Sequence, residues 1–217
     1  MHTLRVFTLL TLAAGIWAPA ATAQRWEFGA GGGGSFYTSK TASSAAGSAD
    51  ATFRPAAAIT GYLGQNLYNY VSGEIRYTLG LNEMQLKSGG ATGASFAGRT
   101  QAVHYDFLIH TAPRRAKTRP FFAVGGGYKR FEGTGTEAAF QPLQNFALLT
   151  RTAEWTPVLS VGAGVKFQVG ENVNLRVEFR DYISRFPREV IAPAPGATIG
   201  GGWIHNFVPM VGLSYLF

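Results

Sequence analysis

No cysteine occurs among the 217 residues, which excludes disulfide staples and thiolate metal sites while permitting an oxidising compartment. Charge is scarce as well. Asp, Glu, Lys and Arg make up 14% of the chain, beside 13% aromatics and 28 glycines, an odd balance for a soluble globule but a fit to a wall with one apolar side and small residues where it curves. No apolar stretch reaches the roughly 20 residues that a membrane-spanning helix needs. The formal charge is +7, from 19 basic and 12 acidic residues, yet no recognition helix can be drawn, so no nucleic-acid partner is expected. HExxH is missing. Gly29 to Gly34 formally meets GxGxxG, but Ser35 to Thr38 continues as strand where that fingerprint requires a helix.

What is present begins with an address. Met1 to Ala23 carries one early cation, Arg5, then a mostly apolar run from Val6 to Trp17, the breaker Pro19, and Ala21-Thr22-Ala23. This pattern predicts a cleaved signal peptide over 1–23, leaving 24–217 as one domain.

The remainder alternates with a period of two, the mark of strands that are apolar on one face. Eight strands are predicted: Trp26 to Thr38, Arg54 to Leu67, Tyr70 to Leu86, Phe96 to Thr111, Arg119 to Glu132, Trp155 to Val169, Val173 to Phe186, and Trp203 to Phe217. In the seventh, Val173, Leu175, Val177 and Phe179 alternate with Asn174, Arg176, Glu178 and Arg180. One face suits hydrocarbon and the other cannot. Long links rich in Gly, Ser, Thr and Ala alternate with short ones, so both termini and the short turns share one end of the structure. The last strand steps Val211, Leu213, Tyr215, Phe217 along its apolar face.

Taken in that order, signal, eight strands, alternating link length and terminal phenylalanine, the chain resembles the small eight-stranded outer-membrane barrels of the OmpA and OmpX type. Arg176 to Tyr182 and Gly125-Gly126-Gly127-Tyr128 look like strand patterns of that group. The resemblance implies an all-β, eight-stranded, antiparallel up-and-down transmembrane β-barrel in the outer membrane of a Gram-negative-type cell. It further implies insertion by the barrel-assembly machinery through the signal Val211, Leu213, Tyr215 and Phe217. Longer OmpA-type proteins add a peptidoglycan-binding domain; no such domain is read here.

Inside an eight-stranded barrel there is room only for side chains. Glu74, Arg76, His104, Asp106, Lys129, Lys166, Arg176, Glu178 and Arg180 are therefore expected to pair in the lumen, with Glu178 as hub and Gly162 and Gly164 leaving space for long neighbours. His104, Asp106 and His110 share a face but are read as polar lining, and His205 stands near the outer rim without a matching serine motif. No catalytic residue, metal or cofactor is assigned. Two aromatic belts are expected at the membrane interfaces: Trp26, Tyr68, Tyr70, Phe121 and Phe217 at the short-turn end, and Phe36, Phe131, Trp155, Phe186 and Trp203 at the long-loop end. Arg114, Arg115, Lys117 and Arg119 crowd one short turn, where they suit either anionic headgroups or solvent. The expected role is structural or surface-interactive and non-enzymatic, for a monomer contacting outer-membrane lipids and an extracellular partner through four long loops. A small channel, a lipid A-modifying enzyme and a soluble ligand carrier are the rivals.

Overall fold

A computed structural model describes residues 26–217, and the expected signal peptide over 1–23 lies outside the described residues. The strands, in chain order, are β1 (Trp26–Tyr37), β2 (Lys40–Ser44), β3 (Gly47–Phe53), β4 (Ala56–Asn66), β5 (Val71–Gly80), β6 (Met84–Ser88), β7 (Ala91–Phe96), β8 (Gly98–His110), β9 (Thr118–Gly133), β10 (Ala147–Leu149), β11 (Ala153–Gln168), β12 (Val173–Arg185), β13 (Ile191–Pro193), β14 (Thr198–Ile199) and β15 (Trp203–Leu216). Eight of them, β1, β4, β5, β8, β9, β11, β12 and β15, form a closed antiparallel barrel. Each pairs with the next along the chain, and β15 returns to β1, with Phe28 opposite Tyr215 and Phe36 opposite Phe207. Closure leaves no unpaired edge in the wall, the condition a sheet must meet in hydrocarbon.

Alternation sets the two surfaces of this wall. Val177 and Phe179 are exposed while Arg176, Glu178 and Arg180 between and beside them are buried. The same inversion runs through Val103, Tyr105, Phe107 and Ile109 on β8 and through Val211, Leu213 and Tyr215 on β15, all of which face outward. Three short turns, 67–70, 111–117 and 169–172, lie at the end where Trp26 N donates to Phe217 O at 3.1 Å.

The third predicted strand is shorter than expected. β5 stops at Gly80, and Met84 to Leu86, all three buried, open a separate strand, β6. They are part of a layer beyond the long-link end, where β14, β2, β3, β6 and β7 form a five-stranded sheet and β10 pairs with β13. Met84, Leu86, Phe96, Phe146, Leu149 and Ile191 make its apolar core, and Phe131, Phe186 and Ile204 join that core from the barrel rim. The long links are thus a packed cap.

The aromatic belts need correction on this basis. Trp26, Tyr68, Tyr70, Phe36, Trp155, Trp203 and Phe217 are on the outer surface, but Phe121 is 2% exposed, Phe131 0% and Phe186 4%. Parity explains all three. Phe121 and Phe131 are even steps from the inward Lys129, and Phe186 is an even step from the inward Arg180; Phe122, one residue along, is the outward ring at 62%.

An arginine placed on the outward face should reveal the solvent it meets. Val177→Arg is expected to destabilise the barrel by ~2–4 kcal/mol, read by denaturant titration in lipid vesicles; an unchanged midpoint would mean that this face does not meet acyl chains.

Candidate functional site

Lumen-facing residues of β5, β8 and β12 meet at one level of the barrel. Arg76 on β5 bonds Glu74 at 2.8 Å and Glu178 at 2.6 Å. Arg176 on β12 reaches the same two carboxylates, at 2.7 Å and 2.9 Å. Arg180 spans three acids: Asp106 at 2.5 Å, Glu74 at 3.0 Å and Glu178 at 3.1 Å. His104 Nδ1 lies 2.9 Å from the other Asp106 oxygen. Three guanidinium groups thus face three carboxylates, all buried. Charge balance is what makes such a layer tolerable, because isolated ions in a low-dielectric wall cost several kcal/mol each. Glu74 contacts as many arginines as Glu178 does, so the expected single hub is a pair of acids.

Small residues make room for these groups. A Cβ on Gly162 would sit 2.5 Å from Arg180 Cδ, and one on Gly164 would sit 2.8 Å from Glu178 Cβ. Tyr62 lies beneath both Arg76 and Arg176, whose guanidinium carbons are 4.8 Å and 4.5 Å from its ring centre.

The two lysines stand apart from this layer. Lys166, toward the short-turn end, bonds Glu27 Oε2 at 2.5 Å. Glu27 was not singled out in the sequence, although its place two residues before the inward Gly29 carried the parity. Lys129, toward the cap, has no carboxylate partner among the described residues; it donates to Asn206 Oδ1 at 2.8 Å and lies 4.6 Å, 5.3 Å and 5.5 Å from the ring centres of Tyr37, Phe131 and Tyr182. Ring faces supply the negative potential that a counter-ion would. Above it, the Tyr37, Phe53 and Phe131 rings pack with centroids 4.7 Å and 5.3 Å apart around Phe53. The void beside Lys129, Tyr182 and Asn206 is about 10 Å³, about the least space that accommodates one water.

The remaining histidines are separate. His110 Nε2 lies 2.7 Å from Ser72 Oγ. His205 faces outward, 2.7 Å from Asp181 and stacked on Phe207, and no hydroxyl bonds its ring among the described residues. No group of three or more His, Asp or Glu side chains is placed to hold a metal ion among the described residues. In the basic turn, Arg119 points inward and is buried, whereas Arg115 and Lys117 are exposed; the four cations do not share one surface.

Comparisons with known proteins concern the fold. A profile of the outer membrane protein β-barrel domain matches residues 7–215. No curated protein matches the chain. Among solved structures it is similar to neisserial surface protein A (NspA), at 14% identity and a TM-score of 0.56, with 88% of this chain and 97% of that one covered. It is also similar to Ail, the attachment invasion locus protein of Yersinia pestis, in complex with the heparin analogue sucrose octasulfate (10% identity, TM-score 0.46, 89% and 99% covered). A further likeness is to the outer membrane protease OmpT of Escherichia coli (12%, 0.49, 90% and 98%). At these identities the likeness is one of architecture.

Removing one acid from the neutral layer strands a guanidinium. Glu178→Gln is expected to cost ~3–5 kcal/mol, whereas Lys129→Met, which removes a cation lacking a carboxylate, should cost less than ~1 kcal/mol because the lost bond to Asn206 is offset by the relieved burial of charge. Urea titrations of both variants in vesicles check the contrast; equal losses would contradict it.

Proposed function

The chain belongs to the outer membrane protein β-barrel family, and we propose that within it this protein is a non-enzymatic, plugged barrel whose task is to hold a packed surface cap outside the outer membrane. The observation that carries this reading is the filled lumen. Three arginines and three carboxylates cross-link β5, β8 and β12 at one level, and the aromatic cluster of Tyr37, Phe53 and Phe131 stands above them. An ion crossing the barrel would have to break several short ion pairs and then part those rings.

The cap supports the second half of the reading. A flexible loop binds at the cost of ordering itself, but β2, β3, β6, β7 and β14 are already joined in one sheet over a buried core. A surface of this kind meets a partner with little entropy left to lose. The proposed contacts are outer-membrane lipids along the wall, the barrel-assembly machinery at the outward stripe of Val211, Leu213, Tyr215 and Phe217 during insertion, and an extracellular partner on the cap. The acting unit is a monomer, delivered to the outer membrane after removal of residues 1–23.

Planar-bilayer recording tests the plug. No ion current above the bare-bilayer background is expected from neutral to acidic pH; discrete conductance steps in the intact protein would replace this reading with a small channel.

A further inference from the structure

We propose that the short-turn mouth of the barrel is a binding site for a phosphate-bearing ligand. A cavity of about 710 Å³ opens there below the Lys166–Glu27 pair, within the size range of small-ligand sites. All three short turns contribute to it, through Asn69, Arg115 and Glu171, so its walls are fixed by the ends of six barrel strands.

Its charge is unbalanced. Four cations line the cavity, Arg114, Arg115, Arg119 and Lys166, against two carboxylates, Glu27 and Glu171. Glu27 pairs with Lys166 through Oε2 at 2.5 Å, and its Oε1 has no hydrogen-bond partner among the described residues. Arg119 is buried, yet no carboxylate lies within ion-pair distance of it among the described residues. Its partners are neutral oxygens: Ala112 O at 3.4 Å, Asn66 Oδ1 at 3.0 Å and Asn69 O at 2.9 Å. These bonds use one N–H each on Nε, Nη1 and Nη2, leaving one donor on each terminal nitrogen without a partner among the described residues.

The mid-barrel layer is built differently. There every buried guanidinium has carboxylates at contact distance; here a buried guanidinium is held in place by amide oxygens and faces an open, positively charged cavity. Burial of such a cation is costly without an anion. A tetrahedral oxyanion satisfies a guanidinium fork with two parallel charge-assisted bonds, and Arg115 on the neighbouring turn is free to close on the same group. A low-dielectric wall around a cavity of one sign strengthens that attraction. Phosphate chemistry can arrive at this end of the barrel on a soluble compound or on a lipid headgroup.

The test uses the refolded barrel in phosphate-free, non-ionic detergent, titrated in one arm with pyrophosphate and in the other with phosphatidylglycerol in mixed micelles. Calorimetry measures affinity, and the Arg119 side-chain nitrogen resonance reports contact. One saturable site is expected, weakened at least tenfold by Arg119→Gln and severalfold by Arg115→Gln, and untouched by Arg185→Gln at the opposite rim. Heat-modifiable migration on a gel confirms that each variant is folded. Arg115 is exposed, so its variant carries the test if Arg119→Gln fails to fold. Saturation by pyrophosphate with loss in the variants assigns a soluble ligand, and saturation by phosphatidylglycerol alone with the same loss assigns a headgroup. No saturable binding in either arm, or binding that both Arg115→Gln and Arg119→Gln leave unchanged, overturns the proposal.

Discussion

Charge neutrality inside a lipid-facing cylinder is the constraint from which the rest of this structure follows. Arg76, Arg176 and Arg180 are each fully buried, in a barrel whose outer surface is apolar and therefore offers them no water. Each must find its counter-charge within the lumen. The arginines stand on β5 and β12 and the acids that answer, Glu74, Asp106 and Glu178, on β5, β8 and β12, so the register of these three strands is pinned by pairs as well as by backbone bonds. A slip of one residue would turn every one of these groups toward lipid.

Several sequence features become necessary under that constraint. Glycine at 162 and 164 accommodates the side chains of Arg180 and Glu178. Tyr62 offers its ring to two guanidinium groups at once, while Gly29 opposite leaves space for the phenol. Lys129 departs from the pattern, and the protein surrounds it with rings and Asn206 instead of an acid. Balance is thus met by ion pairs at mid-barrel, by π faces near the cap, and at the short-turn mouth it is left open around Arg119.

The barrel was legible in the sequence because each of its strands is long enough to repeat the alternation, as in Val173 to Arg180. The lumen residues were legible for the same reason: ionisable side chains at every second position of a strand whose other face is apolar have one place to go. The partner choices were not, since Lys166 finds Glu27 across 139 positions, and nothing local marks that pair. Phe121, Phe131 and Phe186 lie near strand ends, where interface rings are expected, but their parity with Lys129 and Arg180 turns them inward. The cap escaped notice for a different reason. Its strands run from two to seven residues, too short for a period to emerge, and are built largely from Ala, Ser, Thr and Gly, which read as loop.

Since the chain contains no cysteine, a single introduced thiol reports one position without interference. The most direct test of the inside-out arrangement labels Val177→Cys and Ser160→Cys separately with a small fluorophore in vesicles containing brominated lipid. Val177 faces outward and Ser160 is buried in the lumen beside Asp106 and Arg180. The account predicts strong quenching of the label at 177, and at 160 either no quenching or no labelling. Quenching at 160 with none at 177 would contradict it.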